Sequence, residues 1–255
     1  TQTGMADGFC VGGSPATNGQ FTVGSSGWNC GTEIRNCRIF NVPTGGGMGI
    51  PTGFNGISVG NGVYAVKIDN NIEVNVAGTA IFSSCGSLVN CTIENNMLSD
   101  VGGGIGIAGG DYCLVGDSNS LKENIVIDNN LITVQSGGSG MDISGLFGQD
   151  ITNLTVNNNI IEAAGGAGAV NGLVVHYTDN FNAQNNILDA NGGGEPLEIA
   201  TNVIVSQIIN NQSLSGASVT TPLYQSTNNA AYFVGEWEWI NRRNSPVFGH
   251  TGKFG

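Results

Sequence analysis

Glycoside hydrolysis needs two carboxyl groups facing one cleft, about 5–9.5 Å apart. The acids in this chain are few: 19 Asp and Glu against 7 Lys and Arg, a formal net charge of −12 over 255 residues. Two of them stand out. Asp142 lies in GGSGMDISG, and Asp179 lies in VVHYTDN, three residues after His176. His176 and Asp179 form a short acid–base pairing in the sequence, and Asp142 supplies a second carboxyl from an earlier repeat. Asp111, Asp117, Asp150 and Asp189 are further outward acids. Solvation of turns explains acids at such places equally well. Asp142, Asp179 and His176 are therefore candidate catalytic residues and nothing firmer.

Carbohydrate contact calls for aromatic faces beside polar groups. Tyr112, with Asp111 and Asp117, lies in AGGDYCLVGDSNSLKEN, the longest insertion between repeats. Trp237 and Trp239 alternate with Glu236 and Glu238 in GEWEWINRRNSPVFGHTGKFG, which gives one aromatic face to an extended segment. A solvated loop and a terminal cap are the plainer readings of these two segments. No HExxH, GxSxG or P-loop pattern occurs, and no zinc-spaced Cys/His cluster. No metal site is expected and no cofactor. Calcium is the one ion the scattered Asp residues suit, and GGSGMD matches the core of a calcium-binding nonapeptide only once.

These residues hang on a repeat. Its best copies are NCTIENNML, NIVIDNNLI, NLTVNNNII and NFNAQNNIL, with weaker copies AVKIDNNIE and NCRIFNV. The Asn pairs beginning at Asn70, Asn95, Asn129, Asn158, Asn185 and Asn210 are 25, 34, 29, 27 and 25 residues apart. Before each pair runs a two-residue alternation: Val66/Ile68, Cys91/Ile93, Ile125/Ile127, Leu154/Val156 and Phe181/Ala183 share one side. Asn bends a strand at small cost, because it tolerates left-handed backbone angles. Stacked coils place Asn70, Asn95, Asn129, Asn158, Asn185 and Asn210 above one another, their amides bonding along the stack. A second strand follows each pair. A glycine cluster and a third apolar alternation complete the coil, as in AGTAIF, GGGIGIAGG and GGGEPLEIA.

The spacing and the absence of helical periodicity predict an all-β, right-handed parallel β-helix: a single-stranded solenoid with three short strands per coil and about seven coils. Residues 32–215 form that body. Residues 1–31 are the expected N-terminal cap, and 216–255 a C-terminal cap or subunit-docking tail, since a solenoid must cover its open ends.

Composition narrows the partners. Neither Lys nor Arg occurs from Glu123 to Asn241. Nucleic acid is not an expected partner, because phosphate contacts need a basic surface. The same deficit disfavours lyase chemistry on acidic sugars in that stretch. Arg35, Arg38 and Lys67 remain as a possible basic face in the early repeats. No apolar run is long enough for a membrane-spanning helix, so no membrane insertion is expected. The six cysteines (Cys10, Cys30, Cys37, Cys85, Cys91, Cys113) suggest disulfides and an oxidising, extracellular setting. Cys91, however, takes the slot of Ile125, Leu154 and Phe181, as a core thiol would.

The repeated IxNN coil resembles the right-handed β-helix superfamily, which includes pectate-lyase-like enzymes and phage tailspikes. The resemblance runs from about Glu33 to Leu214 and is one of architecture. It implies a secreted or virion-surface protein that recognises a polysaccharide and, in the enzymes, cleaves it, with trimers in the tailspikes. The polygalacturonase pattern NTD…DD…GHG…RIK is absent, so the resemblance transfers no catalytic residue. The competing expectation is a structural subunit of an extracellular filament, sheath or appendage, joined through solenoid ends and the C-terminal tail. A homo-oligomer, trimer or filament, is common to both.

Overall fold

The computed structural model describes residues 9–12, 29–42, 55–60, 63–83, 87–107, 121–135, 137–145, 150–163, 168–200, 202–214 and 232–233. Every element in them is a strand, and every strand pair is parallel. Strands are numbered β1 to β21 along the chain, and they form two sheets.

One sheet holds the strands that precede the Asn pairs: β2 (Asn29–Cys30), β3 (Glu33–Arg35), β6 (Val63–Tyr64), β7 (Lys67–Asp69), β9 (Leu88–Glu94), β11 (Lys122–Asp128), β14 (Ile151–Asn157), β17 (Thr178–Gln184), β20 (Val203–Ile209) and β21 (Tyr232–Phe233). The other holds those that follow: β1 (Phe9–Gly12), β4 (Arg38–Val42), β5 (Ile57–Gly60), β8 (Ile72–Ser83), β10 (Met97–Ile107), β12 (Leu131–Val134), β13 (Ser139–Ser144), β15 (Ile160–Ala163), β16 (Asn171–His176), β18 (Ile187–Leu188) and β19 (Leu197–Ile199). β8 and β10 are long because each spans two positions that later become separate strands; β10 pairs with both β12 and β13. The stacked parallel strands fit a β-helix-like solenoid.

The alternation before each Asn pair holds in full. Val66, Ile68, Cys91, Ile93, Ile125, Ile127, Leu154, Val156, Phe181 and Ala183 are all buried in one continuous core. Register repeats the spacing, with Cys91 opposite Ile125, Ile125 opposite Leu154 and Leu154 opposite Phe181. Each such rung removes an aliphatic side chain from water, which stabilises by about 1.5–3 kcal/mol.

The Asn corner has two columns. The first Asn of each pair (Asn70, Asn95, Asn129, Asn158, Asn185, Asn210) is exposed and takes a positive φ of 53–57°. This is the left-handed bend expected of Asn. Some of these amides do bond along the stack, as from Asn129 Nδ2 to Asn95 Oδ1 at 2.8 Å. Others turn to carboxylates, as from Asn158 Nδ2 to Asp128 Oδ1 at 2.8 Å.

The continuous buried ladder is one residue later: Asn71, Asn96, Asn130, Asn159, Asn186 and Asn211. Asn96 Nδ2 donates to Asn130 Oδ1, Asn130 Nδ2 to Asn159 Oδ1, and Asn186 Nδ2 to Asn211 Oδ1, at 2.7–2.9 Å. Each Oδ1 also accepts the backbone N–H of the preceding rung, such as Asn96 N to Asn130 Oδ1. Each Nδ2 also reaches a strand carbonyl, such as Asn130 to Ile93 O. The buried amides are thus satisfied, as burial demands. At the low end the ladder stops at Cys37, whose backbone N–H still donates to Asn71 Oδ1 at 3.0 Å.

The expected disulfides are not seen among the described residues. Cys37 and Cys91 are free thiols, Cys37 half-buried and Cys91 buried. Burial pushes the Cys91 thiol up to about 11. Cys85 and Cys113 lie outside the described residues. Most of the expected caps also lies outside them, although β1 pairs with β5 and β2 with β6.

Candidate functional site

Asp142 faces outward from β13, between the buried Met141 and Ile143. Register aligns it with Gly106 of β10 on one side and Val174 of β16 on the other. Val174 aligns in turn with Glu198 of β19. Two strand steps of about 4.8 Å therefore separate the backbones carrying Asp142 and Glu198, about 10 Å in all. His176, at the end of β16, is in register with Ser144, two residues beyond Asp142 on the same outer side.

Asp142 interacts electrostatically with both His176 and Glu198. Asp142 is reached by solvent, yet the crowded sheet face pushes its carboxyl up, opposed by the charge of His176. Burial holds His176 below its ordinary value, opposed by Asp142. Glu198 is pushed up by burial first, then by the charges of Asp142 and Glu195. Asn171 Nδ2 donates to Glu198 Oε2 at 3.4 Å, while Asn171 Oδ1 accepts the Glu195 backbone N–H at 2.8 Å. The His176 carbonyl is fixed by Gly145 N at 3.1 Å and Thr178 Oγ1 at 2.9 Å. Burial thus favours the neutral form of all three groups, while Asp142 and His176 oppose that shift in each other.

The same outward column continues to Phe82, which aligns with Gly106. The Phe82 ring lies over that glycine: a Cβ on Gly106 would sit 3.2 Å from ring carbon Cδ2. An aromatic ring, a bare glycine, a carboxyl, a valine and a second carboxyl thus follow one another across the strands. Such a row can hold an extended polar ligand with one apolar platform.

Sequence reading placed Asp142 and His176 in this site but joined His176 to Asp179 instead. The chain turns at Tyr177, φ 43°, and Asp179 lies beyond that corner on β17. Asp179 faces solvent and acts on Asp150, whose carboxyl burial pushes up first and the Asp179 charge second. Glu198 was missed. The alternation Leu197, Glu198, Ile199 was the available signal, with Glu198 between two inward residues.

Tyr112, Asp111 and Asp117 lie outside the described residues, as do Trp237 and Trp239. Arg35 and Lys67 share the outer face of β3 and β7, where Glu33 is in register with Lys67, but Arg38 does not join them. Arg38 lies across the Asn corner on β4, Arg35 Nε pairs with Glu33 at 3.2 Å, and Lys67 Nζ pairs with Glu94 at 2.5 Å. Among the described residues no three His, Cys, Asp or Glu side chains are grouped to hold a metal ion. None of the described helices is long and apolar enough to cross a membrane, since no helix is described at all.

No protein-family model, curated protein or solved structure gives a significant match to this chain.

Proposed function

We propose that the chain is a right-handed parallel β-helix of about seven three-stranded coils that recognises a polysaccharide on the outer face carrying Phe82, Gly106, Asp142, Val174 and Glu198. The observation that carries this reading is the register that brings Asp142 and His176 onto one outer face beside the largely buried Glu198, continuous with the Phe82 ring. If the surface also cleaves, Glu198 or Asp142 serves as the protonated acid and the other carboxyl as the base. The backbones that carry them are about 10 Å apart, against about 6.5–9.5 Å between the carboxyls of inverting glycosidases and about 5–5.5 Å in retaining ones. The setting is extracellular or virion-surface, with no nucleic-acid partner, no membrane insertion and no cofactor required; calcium remains the one ion to test.

Glycan-array binding followed by reducing-end assays tests this. Phe82→Ala and the double variant Asp142→Asn/Glu198→Gln should each weaken binding of whichever glycan the unmodified chain retains. Cleavage, where present, should vanish in the double variant. Failure to retain any glycan overturns the proposal.

A structural subunit is the second reading, and one observation favours it. Ile72, Met97, Leu131, Ile160 and Ile187 align as an outward apolar column through β8, β10, β12, β15 and β18, with Met97 43% and Leu131 38% exposed. Such a column suits packing against another copy. Light scattering across a concentration series separates monomer, trimer and open polymer.

A further inference from the structure

Glu73 sits inside the molecule. It is wholly buried, on β8, at the rung that Ile39 occupies below and Leu98 above. Later rungs carry Ile132 and Ile161, both fully buried. Neither carboxyl oxygen has a hydrogen-bond partner. Room for the head group comes from Gly56, which opens β5: a Cβ there would lie 1.6 Å from Glu73 Oε2 and 2.8 Å from the Ala80 carbonyl. The carboxyl therefore leans toward the edge formed by β4 and β5.

That edge is the weaker side of β8. β8 meets β10 as one continuous partner but meets the edge as two separate short strands. The ladder is thinner there as well. Asn71 Nδ2 donates to Asn96 Oδ1 on the β10 side, whereas the β4 side presents Cys37 and no amide. We propose that Glu73 is a proton-operated latch, which keeps β4 and β5 closed on β8 while it holds its proton and releases them when it gives the proton up.

The chemistry follows from the surroundings. β4 presents Ile39 to Glu73, β10 presents Leu98, and Gly56 and Ala80 close the remaining side. No charged group among the described residues acts on the carboxyl; burial alone pushes it from 4.5 up to about 9. Cys91, the buried titratable group on β9, stays a neutral thiol to about 11 and does not intervene. Lys122 is buried further along the stack, on β11, with partners of its own.

The folded pKa is raised above the unfolded one, so the stabilising contribution is complete below 4.5 and is lost as pH rises to about 9. Across that window the closed state holds one proton that the open state has released. Opening then becomes about tenfold more frequent per pH unit and levels off above the window.

Hydrogen exchange on the full chain, corrected for the pH dependence of intrinsic amide exchange, tests the latch. Opening constants for amides in 38–42 and 57–59 are compared with those in 151–157, from pH 5 to 10. The expected result is a rise of about tenfold per pH unit at the β4/β5 edge only. Glu73→Leu, matching the Leu98 rung, should abolish that rise. Glu73→Gln, neutral at every pH, should abolish it too while keeping a polar head in the core. A rise that persists in either variant overturns the proposal. So does a rise of equal size at 151–157, which would mean proton-linked unfolding of the whole core with no local latch.

Discussion

The Asn corner and the β13–β16–β19 face are built from the same strands but behave as opposites. At the corner six successive coils, from Asn71 to Asn211, contribute the same residue, and its amide bonds from rung to rung. The buried amides there are satisfied by one another and by the backbone. On the β13–β16–β19 face no residue repeats: Gly106, Asp142, Val174 and Glu198 occupy equivalent positions. Burial there raises the Asp142 and Glu198 carboxyls and lowers the His176 imidazole, and Glu198 accepts from Asn171 Nδ2. Regular stacking pairs like amides with one another, and unlike ionisable groups meet where the repeat lapses.

The largest way to break the contrast is Asn130→Ala. It strands the Asn96 N–H and the Ile93 carbonyl in the core, and it removes the amide bonds to Asn96 Nδ2 and Asn159 Oδ1, which keep other partners. At about 1–3 kcal/mol for each of the two stranded groups, the loss should be about 2–6 kcal/mol. Urea unfolding measures it; a loss below about 1 kcal/mol would deny the buried ladder its role.

The exposed neighbour should matter less. Asn129→Ala keeps the inner ladder but forces alanine to a φ of 53°, costing about 1–2 kcal/mol. Asn129→Gly should recover most of that, because glycine takes the same angle freely. Equal losses for Ala and Gly would locate the effect in the amide bond to Asn95 and not in the backbone.

Cys37→Asn sharpens the comparison from the other direction. It offers the ladder the rung it lacks, and a gain of about 1 kcal/mol in urea unfolding is expected. The cysteines themselves should differ in the native state: Cys37 should react with a thiol reagent well before Cys91, which is buried and pushed up to about 11. Equal labelling rates would contradict the core position of Cys91.

The smallest expected effect on stability belongs to the open face. Asp142→Asn should change unfolding by no more than about 0.5 kcal/mol. It should nevertheless lower the His176 pKa further, because Asp142 raises it against burial. A neutral His176 is favoured in the fold, so its contribution is present above its unfolded pKa and is lost as pH falls through the depressed value. An NMR titration of His176 that is unmoved by Asp142→Asn would separate the two residues.

Much of this was legible beforehand. Parallel strands, the inward set from Val66 to Ala183, and the core role of Cys91 follow from alternation and from substitution at one slot. The left-handed corner followed from the chemistry of Asn. The pairing of His176 with Asp142 did not, because the two are 34 residues apart and meet only through the register of β13 and β16. Proximity in sequence favoured Asp179, and the corner at Tyr177 carries that residue away.

The sequence alone determined the period of this protein: where strands run, where they bend and how far apart the bends recur. Tertiary structure decided the phase. A two-residue alternation does not say which of its two sides faces the core once the chain has turned a corner. The inward turn of Asn71, Asn96 and Asn130 resets it, so that Ile72, Met97 and Leu131 point away from the core while Glu73, Leu98 and Ile132 point inward. Only packing against neighbouring strands fixes that choice, because burying the amide ladder settles the direction of every residue after it.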